Sequence, residues 1–187
     1  MRYTYYPLHP ETPTEGQPLT ALFAGREASL EDMKHRLGAL MTKEGLEYGD
    51  RTHTYNSRLA QELAVSGDEA GVTDALHDAL FRAYFVDARN LALTEVLMDV
   101  ARTAGLAPSE TRTVIESRRN RTTIDAHWRR ARSVGVTGVP TFIADGFGVV
   151  GAQPYEALEQ LMSRVGVAKR PSKGANPESP GSDAGGH

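Results

Sequence analysis

The sequence predicts an α/β domain that carries a large block of helices within it. A short aromatic strand pattern at 2–6 stands at the start of the chain. Helical patterns then fill residues 18–134, and a strand–turn–strand–helix pattern follows at 135–166. A block of helices between two β pieces is typical of a helical insertion in a sheet domain.

The composition favours one globular domain and argues against two classes of partner. The 187 residues are 40% hydrophobic and 24% charged, with a net charge of −3 at pH 7. A chain without a basic field is not expected to bind nucleic acid. No run of apolar residues is long enough to span a membrane, and the first residues lack an apolar signal core, so we predict a cytoplasmic location.

Cysteine is absent from the sequence. The chain itself therefore supplies no disulfide, no thiolate metal site and no thiol nucleophile. The six histidines show no metal-ligand spacing, so no metal or cofactor is predicted. They are His9, His35, His53, His77, His127 and His187.

The helical block contains several separate apolar stripes at helical spacing. A single turn is expected near Leu19, and a longer helix is expected from Ser29 to Gly45, where glycine permits a left-handed end. Five further helices are expected, starting near Asn56, Val72, Thr94, Pro108 and Thr122.

The densest β pattern follows the helices. Pro140 opens an apolar strand at Thr141–Ala144, and Phe147–Val150 is the return strand. Asp145-Gly146 between them predicts a type I′ turn, because both positions need a positive φ. A last helix is expected from Gln153-Pro154, since proline is tolerated in the first turn.

These patterns predict three regions. Residues 1–10 and 135–166 form the α/β part, and 18–134 form the helical insertion. Residues 167–187 are rich in Pro, Ser, Gly and Asn, which predicts a disordered tail.

Five blocks of sequence, in this order, resemble the DsbA-like thioredoxin family, and within it the FrnE-type dithiol–disulfide isomerases. The resemblance covers about residues 1–166. The blocks are Tyr5–Glu11, Tyr55–Ala60, Leu76–Phe85, Gly135–Phe142 and Gly151–Pro154.

The resemblance implies a thioredoxin-like fold and thiol–disulfide exchange through a Cys-x-x-Cys pair at a helix N-terminus. A helix N-terminus stabilises a thiolate through its partial positive charge and free N–H groups. The resemblance also implies a cis peptide bond before Pro140. Gly138, Val139 and Pro140 would then bind the substrate, with the Val139 backbone pairing with a substrate peptide.

The sequence departs from this family where the chemistry would lie. The Cys-x-x-Cys helix and the strand before it are absent, so no catalytic residue is assigned in this chain and it is expected to be inactive as written. The missing strand would lie centrally, between 2–6 and the strand after Pro140. We expect an N-terminally truncated gene model rather than a natural relative that has lost its redox function.

Two other functions stay open at this point. A kappa-class glutathione transferase or 2-hydroxychromene-2-carboxylate isomerase shares the fold and uses a serine motif with glutathione, again in the missing segment. A non-catalytic peptide-binding relative is the third possibility. The expected partner is a thiol- or disulfide-containing protein or small molecule, and the oligomeric state is left open.

Several other residue patterns favour packing over function. His127 beside Trp128 is expected to pack in the core, and His77 is expected to make a polar contact. Tyr84 and Phe85 are expected to pack in the same way. The arginines are expected on solvated helix faces; they are Arg118, Arg119, Arg121, Arg129, Arg130 and Arg132.

Overall fold

A computed structural model describes residues 3–168. By its contacts the chain divides into two units, Met1–Thr137 and Gly138–His187. The first holds two short strands, β1 (Gln17–Pro18) and β2 (His53–Thr54), and seven helices. The helices are α1 (Leu19–Leu22), α2 (Glu27–Lys43), α3 (Arg58–Ala70), α4 (Thr73–Phe85), α5 (Thr94–Thr103), α6 (Pro108–Ser117) and α7 (Arg121–Ser133).

The core of the first unit forms where α3, α4, α5 and α6 pack together. Leu63, Leu76 and Leu97 are fully buried there, because the apolar side chains of each helix recur on one face. Gly67 permits the close approach of α3 and α4, since a Cβ at that position would lie 3.1 Å from the Leu76 Cδ2. The predicted helical block is therefore confirmed.

The start of the chain differs from the prediction. Residues 3–7 form no strand, and Arg2 lies outside the described residues. A strand depends on a hydrogen-bonded neighbouring strand. Among residues 3–168, no strand pairs with this segment. The Tyr5 N–H instead donates to His127 Nδ1 at 3.5 Å. The predicted strand at 2–6 is wrong over its described part.

Two boundaries in the first unit also differ. The helix expected from Ser29 begins at Glu27, so Ser29 lies within its first turn rather than capping it. Gly45 adopts the expected left-handed conformation with φ 69°. The two-residue ladder of β1 and β2 was not predicted, because so short a strand has no periodicity.

The second unit contains the predicted hairpin and helix. Strand β3 (Thr141–Ala144) pairs antiparallel with β4 (Phe147–Val150), and α8 (Tyr155–Arg164) packs against both. Asp145 has φ 45° and Gly146 has φ 80°, as a type I′ turn requires. Pro154 immediately precedes the helix as its N-cap.

By contacts, the first residues group with the helices, whereas the sequence analysis groups 1–10 with 135–166. That domain assignment stays a prediction, and so does the missing central strand between residues 2–6 and β3. Most of the predicted tail, 169–187, lies outside the described residues. Among residues 3–168, no helix is long and apolar enough to cross a bilayer; the cellular location stays a prediction.

A candidate substrate-binding loop and its surroundings

The loop before β3 contains the three predicted substrate-binding residues. Gly138 is half-buried, whereas Val139 and Pro140 are exposed, with 50% of Val139 accessible. The Val139–Pro140 peptide bond is cis, the isomer that the sequence analysis predicts. These residues lie together at the entrance to the strand.

Hydrogen bonds to the hairpin hold this loop at both ends. The Thr141 hydroxyl donates to the Gly138 carbonyl at 2.7 Å. The Gly151 N–H donates to the Pro140 carbonyl at 2.7 Å. Between these two anchors, the Val139 backbone makes no hydrogen bond within residues 3–168. Its N–H and C=O are therefore available to a peptide.

The loop offers recognition but no covalent chemistry. The sequence has no cysteine, and the described residues contain no group of three or more His, Asp or Glu side chains placed to hold a metal ion. What the loop can do is bind an extended backbone. A thiolate would have to come from another polypeptide segment.

His77 makes the polar contact that was predicted. Its Nε2 lies 2.9 Å from the hydroxyl of Tyr5. Burial lowers the pKa of His77, while the carboxylates of Asp68, Asp74 and Asp78 act in the opposite direction. Burial raises the pKa of the Tyr5 hydroxyl, and the Asp68 charge raises it further. His77 thus anchors the first described residues to α4.

His127 also contacts Tyr5. The two rings stack with centroids 5.6 Å apart. His127 is half-buried and is not among the side chains of the core cluster, so the prediction that it packs in the core is wrong; it contacts Tyr5 instead.

The predicted core packing is confirmed for Tyr84, which packs against the core cluster, whereas Phe85 contacts Tyr84 outside that cluster. Both residues are half-buried, and their ring centroids lie 4.9 Å apart. The Arg51 guanidinium lies 4.5 Å from the Tyr84 ring centroid and donates to its hydroxyl at 2.7 Å. These contacts tie the loop around residue 51 to α4.

Helix α3 carries a buried carboxylate that was not predicted from the sequence. Glu62 has no accessible surface. Arg118 contacts both of its oxygens, at 2.6 and 2.8 Å, and the Arg58 Nε donates to it at 2.9 Å. Burial alone would raise the pKa of Glu62, but the two guanidinium groups hold that pKa below its ordinary value. Arg118 is exposed as expected, with 45% of its side chain accessible, but its ion pair with the buried Glu62 was not predicted.

One signal for this cluster was present in the sequence. Arg58 and Glu62 are four residues apart on one helix, which is the spacing of an ion pair. Arg118 lies 56 residues further along the chain from Glu62, so its part depends on the fold. Arg119 is also paired, with Glu69 at 2.8 Å and Glu110 at 2.6 Å.

Comparisons with known proteins agree with the resemblance to the DsbA-like thioredoxin family. The profile of the DSBA-like thioredoxin domain matches residues 1–163. A crystal structure of a probable DsbA oxidoreductase from Streptomyces coelicolor is similar to this chain, with 31% identity and a TM-score of 0.78. The match covers 94% of this chain and 79% of that one.

A second solved structure supports the fold alone. It is of a candidate protein disulfide isomerase from Nitrosomonas europaea, with 19% identity and a TM-score of 0.59. The match covers 75% of this chain and 74% of that one. No curated protein matches this chain.

Proposed function

The chain belongs to the family of the DSBA-like thioredoxin domain, and from this premise we propose that it is the substrate-holding part of a thiol–disulfide oxidoreductase of the FrnE-type branch. Gly138, Val139 and Pro140 bind the peptide that carries the substrate thiol or disulfide. The reacting sulfurs are supplied by residues outside this sequence.

The observation that carries this proposal is the exposed Val139 with its unpaired backbone. An extended peptide binds well to such groups, because main-chain hydrogen bonds supply affinity without demanding a particular side chain. Strand β3 follows directly, and among the described residues it pairs only with β4. A substrate backbone could therefore lie beside the start of β3.

Thiol–disulfide exchange needs cysteine side chains, which this chain does not contain. In exchange, a thiolate attacks one sulfur of a disulfide, forms a mixed disulfide and expels the other sulfur as a thiolate. A second thiol then resolves the mixed disulfide. A chain without cysteine can hold the substrate during these steps, but it can neither attack nor resolve.

Peptide binding to the loop can be tested by NMR on the ¹⁵N-labelled chain. The probe is a short neutral peptide of Ala and Ser residues around one S-methylated cysteine, which cannot react. We expect shift changes at Gly138, Val139 and Thr141. Val139→Ala keeps the backbone groups and should bind as well, whereas Val139→Pro removes the N–H and should bind weakly.

Val150→Ala is the matched control, because Val150 is similarly exposed, at 52%, but lies in β4 rather than in the loop. The proposal fails if the shift changes avoid residues 138–141. It also fails if Val139→Pro binds as well as the natural chain while its hairpin amide signals stay unchanged.

A further inference from the structure

Helix α4 carries aromatic side chains that the core does not use. Phe81 is 58% exposed, and Tyr3 is 43% exposed. His77 lies between them, with its ring centroid 4.5 Å from that of Tyr3 and 6.2 Å from that of Phe81. His77 itself is buried, with 8% of its surface accessible, so the exposed rings of Tyr3 and Phe81 that it contacts are here called the aromatic patch.

Phe81 lies outside the buried residues of α4, which are Leu76, His77, Leu80 and Ala83. Leu76, Leu80 and Ala83 fill the core, so Phe81 is not needed to hold α4 in place. Exposed large aromatic side chains that contact the same neighbouring ring, as Tyr3 and Phe81 contact His77, commonly mark a binding surface.

Carboxylates surround the aromatic patch. Asp74 and Asp78 share its face of α4, because residues 74, 78 and 81 follow one another at helical spacing. Asp68 at the end of α3 also acts on His77, as these two do. All three are exposed. The neighbouring Arg82 does not offset them, since Glu47 neutralises it in an ion pair.

We propose that the aromatic patch binds a peptide segment in which a large apolar side chain is flanked by lysine or arginine. The rings receive the apolar side chain, and the carboxylates attract the basic flanks. Phe81 adds to this preference, because the face of an aromatic ring attracts cations. A second copy of the chain fits less well, since two acidic rims would repel each other.

This surface differs from the loop at Pro140, and the inference does not depend on the function proposed for that loop. The neutral peptide that tests the loop has neither charge nor aromatic groups. Failure of one proposal can therefore be told from failure of the other.

The test measures fluorescence polarisation of two labelled pentapeptides, one alternating Lys and Phe and the other alternating Glu and Phe. We expect binding of the basic peptide only, and weaker binding as the salt concentration rises. Phe81→Ala should weaken it about tenfold, as truncation of a central aromatic contact does. Leu46→Ala is the control, because Leu46 is 56% exposed outside the patch and should change nothing.

A second variant tests the charge without changing the rings. The double variant Asp74→Asn with Asp78→Asn should lose much of the salt dependence. The proposal is overturned if both peptides bind equally, or if Phe81→Ala binds as the natural chain does. It is also overturned if the chain forms a dimer that Phe81→Ala abolishes, because the patch would then be an interface between copies.

Discussion

The buried carboxylate of Glu62 makes a sharp prediction about stability. Glu62→Gln keeps the shape of the side chain but removes the charge that faces Arg58 and Arg118. Removing one partner of a buried ion pair costs about 3–5 kcal/mol. The Arg118 side chain is 45% exposed and that of Arg58 is 20% exposed, so water partly solvates the stranded charges. We therefore expect the lower end, about 3 kcal/mol.

In a chain of this size that loss corresponds to a drop in Tm of about 6–12 °C. Urea unfolding followed by fluorescence is a suitable assay, because the sole tryptophan lies beside this cluster. The Trp128 Nε1 donates to Gln61 at 2.8 Å, and the Arg58 guanidinium lies 4.5 Å from its ring centroid.

The pH dependence of the same pair of proteins gives an independent check. The pKa of Glu62 is lowered on folding from its usual 4.5. The stability it contributes is therefore present above pH 4.5 and is lost as the pH falls through the folded-state pKa. The gap in stability between the natural chain and Glu62→Gln should shrink on acidification.

Glu69→Gln is the matched control. It removes a carboxylate from the same helix, but one whose side chain is 60% exposed beside Arg119. An exposed ion pair contributes about 1 kcal/mol or less. The reasoning is refuted if Glu62→Gln is no more destabilising than Glu69→Gln. It is also refuted if the difference in free energy of unfolding between the natural chain and Glu62→Gln does not change with pH.

Three further predictions concern the rest of the chain. Gly49→Ala should destabilise the first unit by about 2–3 kcal/mol in urea unfolding, because its Cβ would lie 2.1 Å from the Val86 carbonyl oxygen. Gly146→Ala should cost the hairpin about 1–2 kcal/mol, since its φ of 80° is strained for alanine; hydrogen exchange of the β3 amides measures this. Because the pKa of His77 is lowered on folding from 6.5, stability should fall as the pH drops below that value, and His77→Gln should reduce this dependence. An unchanged free energy of unfolding in the first two cases, or an unchanged pH slope in the third, would contradict the explanation offered for each.

The sequence predicted the elements whose stability is local. Helix α5 begins at Thr94, one residue before the predicted start, since Leu93 and not Thr94 is its N-cap. The Asp145-Gly146 turn fixes the hairpin register because only a few residue types tolerate its φ angles. The strand prediction is wrong at residues 3–6 because a strand is defined by its neighbour, which its own residues do not encode.

The same distinction applies to the candidate sites. The loop at Pro140 could be named from the sequence, because it is continuous in the chain and resembles a family motif. The Glu62–Arg118 pair could not, since its partners are 56 residues apart and Arg118 adopts a left-handed φ of 52° at the end of α6. The aromatic patch was not predicted from the sequence, because periodicity alone cannot tell an exposed Phe81 from a buried one.

The most direct test of the central claim is insulin reduction by two forms of the protein, measured in parallel with the same thiol donor. One form is this chain, and the other carries in addition any residues that the DNA upstream of the Met1 codon encodes in frame. We predict background rates for the first, and turnover for the second through a Cys-x-x-Cys pair that serine substitution abolishes. Turnover by the chain alone would contradict the account, as would an extension with a serine motif and glutathione dependence instead of the cysteine pair.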